Sequence, residues 1–437
     1  MEKMKEERER RAVITGVGVV SPLGFGKEEN WEALKTGKSG LQNITLFDPT
    51  PFPVKNAGEV KNFDLSKYGI DRRILKLTFR SVHLALAAAK MAFNDAGLTV
   101  GMVDPPRFGA VIGSGSGGFE DGPGFEDSVE ILKNSWDENH EKFDVHRFGD
   151  FLEGGIYPLF LIKTLPNNAF FYISSLYKIQ GENNNIISPF TGGSQAIGDA
   201  ARIIQRGDAE VMLAGGYDTL IFPGVIFSYH SLNLLSTRGG AQGVFSPFDL
   251  QRDGFVLGEG AGIVILEEYS HALKRNAKIY AEVTGYRNTT SAYHLYLPCP
   301  QGSGIIAAAR EALEEAGIHA QDIDYINADG IATVQSDRAE TMAYKEVLGD
   351  DAHRIPISST KSMTGHLGAA SGAVELIYCI LTMEQGLIPP TINYHNFDPE
   401  CDLDYVPNQA RPKEVNVALS INQGFSGQTT ALIIQRP

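Results

Sequence analysis

Apolar and polar positions along the chain follow a helical period in some segments and a strand-like pattern in others. Two Ala-rich helical segments, AAAKMAFNDAGL (87–98) and AAAREALEEAGI (307–318), each end at a glycine, which is the residue that most often closes a helix. Each is followed by a short apolar stretch typical of a buried strand, FGAVIGSGSGG (108–118) and DYINADGIAT (324–333). The pattern therefore predicts one helix–strand unit twice, once in each half of the chain.

The repeat extends further along both halves. A strand–turn–helix pattern occurs as IISPFTGGSQAIGDAARII (186–204) and as PISSTKSMTGHLGAASGAVELI (356–377). Each half then closes with apolar strand segments, at 209–221 and at 415–435. Alternating strands and helices favour a largely parallel sheet covered on both faces, and therefore an α/β fold. Two similar halves predict a pseudo-twofold arrangement in which strand ends from both halves converge on one central site.

The same pattern sets the expected domain boundaries. Residues 1–11 read as a charged N-terminal extension, 12–268 as the first half and 269–437 as the second half. An irregular segment at about 119–165 mixes charged and aromatic residues, and it is long for a connection. We expect it to carry its own helices and to lie at an interface or over the mouth of the site.

Composition narrows the function classes. The chain has 437 residues and a net charge of −15, which argues against a nucleic-acid partner. The charged N-terminus is not followed by an apolar segment, so a secretory signal is not expected, and apolar runs are too short to span a membrane. The three cysteines are far apart and lack a metal-ligand spacing, so we expect a cytoplasmic protein without a metal.

The turn before the helix at Gly192 is the position that most often presents a reactive side chain in such a fold, and here it holds Phe190. Elsewhere along the chain, four stretches resemble the β-ketoacyl-acyl carrier protein synthases of the thiolase superfamily, in particular the elongating type. They are AVITGVGVVSPLG (12–24), PFDLQRDGFVLGEGAGIVILEE (247–268), ISSTKSMTGHLGAASGAVE (357–375) and IPPTINYHNFDPECDLDYVPNQAR (388–411). The resemblance covers nearly the whole chain and implies a thiolase-like fold, with two pseudo-repeated halves in a layered αβαβα body.

The resemblance also implies a site of one Cys nucleophile and two His residues, and this chain departs from it. The nucleophile position holds Phe190, and the first His position holds Asp329. The second His is retained as His366, together with Lys361, and Phe425 occupies the gate position. A phenylalanine cannot form a thioester, and an ionised Asp329 would repel a developing enolate. No catalytic set is therefore expected to be intact.

Two further aromatic residues, Phe170 and Phe171, replace small residues in front of the site. Together with Phe190 and Phe425 they are expected to fill the acyl cavity, because each buried ring removes a large apolar surface from water. A replacement nucleophile at Cys299 is not expected, because the sequence gives no sign of a helix start or a His beside it.

This pattern of loss resembles the chain-length factor of type II polyketide synthases. The resemblance implies a catalytically incomplete subunit that forms a heterodimer with a Cys-His-His ketosynthase, shapes its elongation tunnel and does not condense acyl groups by itself. The partner would act on acyl groups carried by phosphopantetheine on an acyl carrier protein, and no cofactor is expected on this chain. A cluster of basic residues between 72 and 80 would contact that carrier or only solvent.

Several alternatives stay open at this point. The alternative function is a malonyl-acyl carrier protein decarboxylase, which needs both His residues. His366 is either a surviving catalytic group or a buried structural residue, and Lys361 is expected to be a structural hydrogen-bond donor. Asp329 is either a general acid or base, or a carboxylate that accepts N–H bonds from 330–333. Phe425 is either a gate or a core ring.

Overall fold

A computed structural model of the chain describes residues 10–115, 123–155, 158–238 and 244–437. The N-terminal extension, apart from residues 10 and 11, and parts of the insert lie outside the described residues. The strands are β1 (Ala12–Ser21), β2 (Gly24–Phe25), β3 (Gln42–Asn43), β4 (Asn56–Ala57), β5 (Phe108–Ser114), β6 (Trp136–Asp137), β7 (Lys142–Phe143), β8 (Asn183–Ile187), β9 (Val211–Thr219), β10 (Glu259–Glu268), β11 (Ala281–Thr290), β12 (Tyr325–Asn327), β13 (Ile357–Ser358), β14 (Leu387–Ile388), β15 (Arg411–Pro412), β16 (Val417–Gln423) and β17 (Gln428–Gln435).

The described helices include those that the repeat predicts. They are α1 (Gly26–Lys35), α2 (Arg72–Leu75), α3 (Arg80–Asp95), α4 (Pro123–Asn134), α5 (Val145–Gly155), α6 (Phe160–Lys163), α7 (Asn168–Tyr177), α8 (Gly192–Arg206), α9 (Pro223–Ser231), α10 (Tyr269–Lys274), α11 (Ser303–Ala316), α12 (Val334–Leu348), α13 (Lys361–Thr364) and α14 (Ser371–Gln385). The paired Ala-rich helices α3 and α11 end as predicted, at Gly97 and Gly317, whose φ angles of 66° and 67° are left-handed.

The long strands form one mixed sheet in the order β13-β12-β16-β17-β11-β1-β10-β9-β5-β8. Read outwards from the centre, β1-β10-β9-β5-β8 has the same arrangement as β11-β17-β16-β12-β13. In both runs the three inner strands are antiparallel and the three outer strands are parallel. The predicted repeat is therefore confirmed, but the expected largely parallel sheet is wrong. The short connection between β16 and β17 forces those neighbouring strands to run in opposite directions.

The helices and strands stack in the five layers that the resemblance implies. Helix α3 covers one half of the sheet from outside, α11 covers the other half, and α8 and α14 pack against each other between them. A Cβ atom at Gly193 would lie 2.6 Å from the carbonyl oxygen of Ala369, so the start of α8 touches the second half backbone to backbone. This close approach brings elements of both halves to one central place.

Within the described insert, residues 123–155 form helices α4 and α5 and the two-stranded sheet β6–β7, as expected for a segment with its own helices. Among the described residues, none of the helices combines the length and the apolar character that a membrane crossing requires.

Buried Glu267, on β10, accepts hydrogen bonds that hold this strand against the helix that follows. Burial alone would raise the pKa of this carboxyl group, but hydrogen bonds from Arg275, His271 and Thr15 lower it to about 2. We therefore expect Glu267→Gln to destabilise the fold near neutral pH. Because the folded-state pKa lies below the unfolded one, the stabilisation exists above about pH 4.5 and is lost as the pH falls towards 2. Urea unfolding of both proteins across this range checks it, and a difference that does not shrink in acid would contradict it.

Candidate functional site

The turn between β8 and α8 presents residue 190 where the two halves meet. The N–H of Gly192 donates to the carbonyl of Ser188 at 3.2 Å, which closes the turn before the helix starts. From the second half, Gln428 accepts a hydrogen bond from the Ser188 hydroxyl at 2.7 Å. The turn therefore fixes the position of Phe190, which is only 4% exposed.

The ring of Phe190 is the centre of an aromatic cluster. Its centroid lies 4.3 Å from that of His366 and 5.0 Å from that of Phe425. Tyr229 and Phe255 complete the cluster, at 6.0 and 6.2 Å. The sequence interpretation identified Phe425 and His366 but missed Tyr229 and Phe255. Phe255 lies within the GFVLG part of a family stretch, which was the one available signal for it.

Phe170 and Phe171 do not belong to this cluster, so the prediction that they fill the cavity is wrong. Both lie on α7, whose buried positions include Ala169 and Ile173, four residues apart. The neighbouring Phe171 therefore points outward and is 62% exposed. Phe170 is partly buried, but it packs against the outer core cluster around α3 instead.

A cavity of about 350 Å³ remains beside the ring of Phe190. Phe190, Phe255 and Phe425 form an aromatic part of its lining, and Asp329, Ser291 and Cys299 are among its polar lining residues. Aromatic side chains therefore reduce the space at the turn but do not close the site. A lining that combines apolar rings with several polar groups suits an acyl chain that carries a polar end.

Asp329 contacts the buried ammonium group of Lys361 next to this cavity. The Lys361 ammonium donates to the carbonyl of Asp329 at 2.8 Å and lies 3.2 Å from its Oδ1. It also lies 2.8 Å from Oε1 of Glu375. Burial raises the pKa of Asp329, and Lys361 opposes this only in part. Burial likewise raises the pKa of Glu375 to about 7, although Lys361 and a hydrogen bond from Asn422 oppose this.

Asp329 does not accept the N–H groups of residues 330–333, contrary to one of the two interpretations. Glu340 accepts the N–H groups of Asp329 and Gly330, each at 2.8 Å, and Asp337 accepts that of Ala332 at 3.0 Å. These two acids on α12 therefore hold the loop, and the side chain of Asp329 is not needed for that. The sequence contains both, but only the fold brings them beneath the loop.

His366 is buried and neutral. Burial, together with the charge of Lys361, lowers its pKa well below the ordinary value. Its Nδ1 accepts the N–H of Gly368 at 3.2 Å and faces the Ser371 hydroxyl at 3.1 Å, which assigns the ring proton to Nε2. Among the described residues, Nε2 has no hydrogen-bond partner, and the ring faces Phe190.

Cys299 lies beside a helix start, contrary to expectation. Helix α11 begins at Ser303, and Cys299 lines the same cavity as Phe190. Burial would raise the pKa of the thiol, but hydrogen bonds from Ser303 and from the backbone of Gln301 and Gly302 lower it overall. The sequence interpretation missed this because Pro300 and Gly302 gave no helical pattern before Ser303.

The basic segment 72–80 offers less free charge than its sequence suggests. The guanidinium of Arg80 pairs with buried Glu259 at 2.7 Å, and that of Arg73 pairs with Asp71 at 2.6 Å. Arg80 is therefore a structural group, so only part of the segment faces a partner or solvent.

A doubled strand order with five layers and a site at the start of the central helix defines a thiolase-like protein. The "Beta-ketoacyl synthase, N-terminal domain" matches residues 9–272, and the "Beta-ketoacyl synthase, C-terminal domain" matches residues 280–395. The chain belongs to the β-ketoacyl synthase family.

Curated relatives and solved structures are similar over nearly the full length. The 3-oxoacyl-[acyl-carrier-protein] synthase 2 of Coxiella burnetii is 40% identical, over 98% of this chain and 99% of the relative. The protein of the same name from Synechocystis is 38% identical, over 99% and 100%. A type II polyketide acyl carrier protein–ketosynthase complex, AntDE:AntF, matches with a TM-score of 0.85 and 34% identity, over 98% of this chain and 100% of the matched chain. The ishigamide ketosynthase/chain length factor matches with 0.85 and 32%, over 98% and 100%.

These relatives correct the predicted function. The curated relatives are named as synthases, which contradicts the expected catalytically incomplete, chain-length-factor-like subunit and does not support the decarboxylase alternative. The prediction relied on Phe190 and Asp329, whereas the identity to the synthases extends along the whole chain. A heterodimer with an intact ketosynthase is not shown.

Proposed function

We propose that this protein, like the 3-oxoacyl-[acyl-carrier-protein] synthases 2 that it resembles, acts on acyl thioesters delivered by an acyl carrier protein. We further propose that the acyl group enters the cavity beside Phe190 without becoming attached to residue 190. The observation that carries the proposal is that cavity of about 350 Å³, which persists although an aromatic ring occupies the turn. Phe190 supplies no nucleophile, so binding there depends on apolar contact and hydrogen bonds.

The carrier requirement rests on the comparisons. One similar structure is a ketosynthase in complex with its acyl carrier protein, and the curated relatives carry the carrier protein in their names. The cavity is compatible with the same requirement, because the partly exposed residues 296–299 are part of its lining and a flexible arm would reach it there from outside.

Intact mass spectrometry after incubation with hexanoyl-acyl carrier protein tests this proposal. We expect a non-covalent complex in native spectra and an unchanged mass after denaturation. Cys299→Ala is the matched control, because Cys299 is the thiol that lines the cavity in the described part of the chain. A hexanoyl adduct in the parent protein that disappears in Cys299→Ala would contradict non-covalent binding, and the absence of any complex would contradict the proposal as a whole.

We also propose that a second ketosynthase-family chain covers the outer edge of the sheet. Strand β8 pairs with β5 on one side and, within the described ranges, with no strand on the other. Ile187 on this strand is 56% exposed. An open strand edge beside exposed apolar groups is the usual template for pairing between chains.

A second copy of this chain and a ketosynthase with an intact Cys-His-His set would both fit this edge, and light scattering separates them. A dimer mass for the isolated chain identifies the second copy. A monomer that dimerises only on co-expression with such a ketosynthase identifies the heterodimer. A monomer under both conditions would contradict the proposed surface.

A further inference from the structure

The buried network around Lys361 contains more carboxyl groups than cations. Lys361 and Arg252 are its cationic members among the described residues. Its acidic members are each at least nine-tenths buried. They are Asp329, Asp337, Glu340, Glu375 and Asp398. Asp398 pairs with Arg252 at 2.5 Å, and Asp337 lies 3.6 Å from the same guanidinium. Full ionisation would therefore leave uncompensated negative charge in the interior.

An interior of this kind keeps protons on some of its carboxyl groups, because an unpaired buried charge is far more costly than a neutral acid. Burial and neighbouring acids raise the pKa of Glu340 to about 8 and that of Asp337 to about 7. Lys361 is closer to Oε1 of Glu375, at 2.8 Å, than to Oδ1 of Asp329, at 3.2 Å. Asp329 is therefore the more distant of the two acids that share this cation, and its carboxyl group also accepts the backbone N–H of Gln423.

Asp329 is also the member of the network that reaches the cavity. Of the five acids, it alone is among the residues that line it, whereas Glu340 and Asp337 lie behind the loop and Glu375 lies on α14. Burial and the charge of Lys361 lower the pKa of His366, so its ring adds no positive charge to this network. A proton on this network can thus be offered to a ligand through Asp329.

We propose that Asp329 binds an acyl thioester as a neutral carboxyl group, donating its proton in a hydrogen bond to the thioester carbonyl oxygen. The inference rests on the proposed function, because the ligand is the acyl group assigned to this cavity. A neutral carboxyl group replaces the cationic or neutral imidazole donor that the family pattern places at this position. Binding therefore requires the protonated form of the site and is linked to proton uptake.

The pH dependence has a definite sign. Asp329 is held near Lys361, Glu375, Glu340 and Asp337, so its proton is shared with this network. Where the free site is neutral, binding takes up no proton. Above the pKa of the free site, each thioester bound takes up about one proton, and the affinity falls about tenfold per pH unit.

Titration calorimetry with S-hexanoyl-pantetheine tests the inference on the parent protein. In alkaline solution, the binding enthalpy is expected to change with the ionisation enthalpy of the buffer, by about one proton per chain. Asp329→Asn keeps the shape and a permanent N–H donor, so its binding is expected to be independent of pH and of the buffer. Pantetheine without an acyl group lacks the carbonyl and serves as the matched probe.

The outcomes separate the two proposals. Binding by the parent protein without proton uptake, or equal pH dependence in the parent protein and a folded Asp329→Asn, overturns the role of Asp329 alone. Absence of binding by the parent protein in acid and in alkali overturns the proposed function as well. Proton uptake on binding is measured with the parent protein itself. The inference can therefore be overturned even if Asp329→Asn fails to fold.

Discussion

A cysteine introduced at position 190 is expected to become an acylated residue of this protein. The site retains the surroundings that activate such a thiol, because position 190 lies at the turn that opens the 15-residue helix α8. The Nε2–H of His366 has no partner in the described structure and would donate to a thiolate at this position. The Cβ atom is already fixed by the turn, so the substitution changes the side chain more than the backbone.

Intact mass spectrometry of Phe190→Cys after exposure to hexanoyl-acyl carrier protein measures this gain. A Cys299→Ala background removes the other thiol of the cavity, and Phe190→Ala is the matched control for the space that the ring leaves. Full acylation of Phe190→Cys is expected under conditions in which Phe190→Ala gains no mass. A folded Phe190→Cys protein that binds the carrier but acquires no adduct would show that the loss of function at this site extends beyond residue 190.

The helices of the repeat could be predicted from the sequence because each of them is a local pattern. Helix periodicity and the closing residues Gly97 and Gly317 appear within short windows, so the paired α3 and α11 could be predicted directly. The relative direction of β9 and β10 could not, because their pairing joins segments about 40 residues apart that no short window contains. The short connection between β16 and β17, in contrast, was a local signal for an antiparallel pair that the expectation of a largely parallel sheet overlooked.

Site residues could be predicted where the residue type alone decides the chemistry. They could not be predicted where the direction of the side chain decides what it contacts. Phe190, Asp329 and His366 were found because the family pattern assigns their positions. Phe171 was misplaced because one residue of rotation on α7 turns a ring from the core to solvent. The number of buried acids around Lys361 was also invisible, since its members come from segments up to 146 residues apart.

Loss of the Lys361 charge is expected to have the largest effect on stability. Its ammonium is fully buried between Asp329 and Glu375. Lys361→Met keeps much of the volume but leaves two buried carboxyl groups without their cation, which costs about 3–5 kcal/mol. Partly exposed Lys35, which pairs with Glu32 on the surface, is the matched control, and Lys35→Met is expected to change the free energy of unfolding by less than about 0.5 kcal/mol.

The pH dependence of this loss distinguishes a charge effect from a packing effect. Without Lys361, the pKa values of Asp329 and Glu375 rise further above their unfolded values, so the penalty is small below the unfolded values and grows as the pH rises through the folded ones. Urea unfolding of Lys361→Met is therefore expected to approach that of the parent protein in acid and to fall behind it in alkali. Adding Asp329→Asn and Glu375→Gln should restore part of the lost stability, because both carboxyl groups are then neutral at every pH. A loss of stability that is equal in acid and in alkali, and that these two changes do not reduce, would mean that Lys361 contributes only packing. That result would contradict the proton sharing inferred for the buried network.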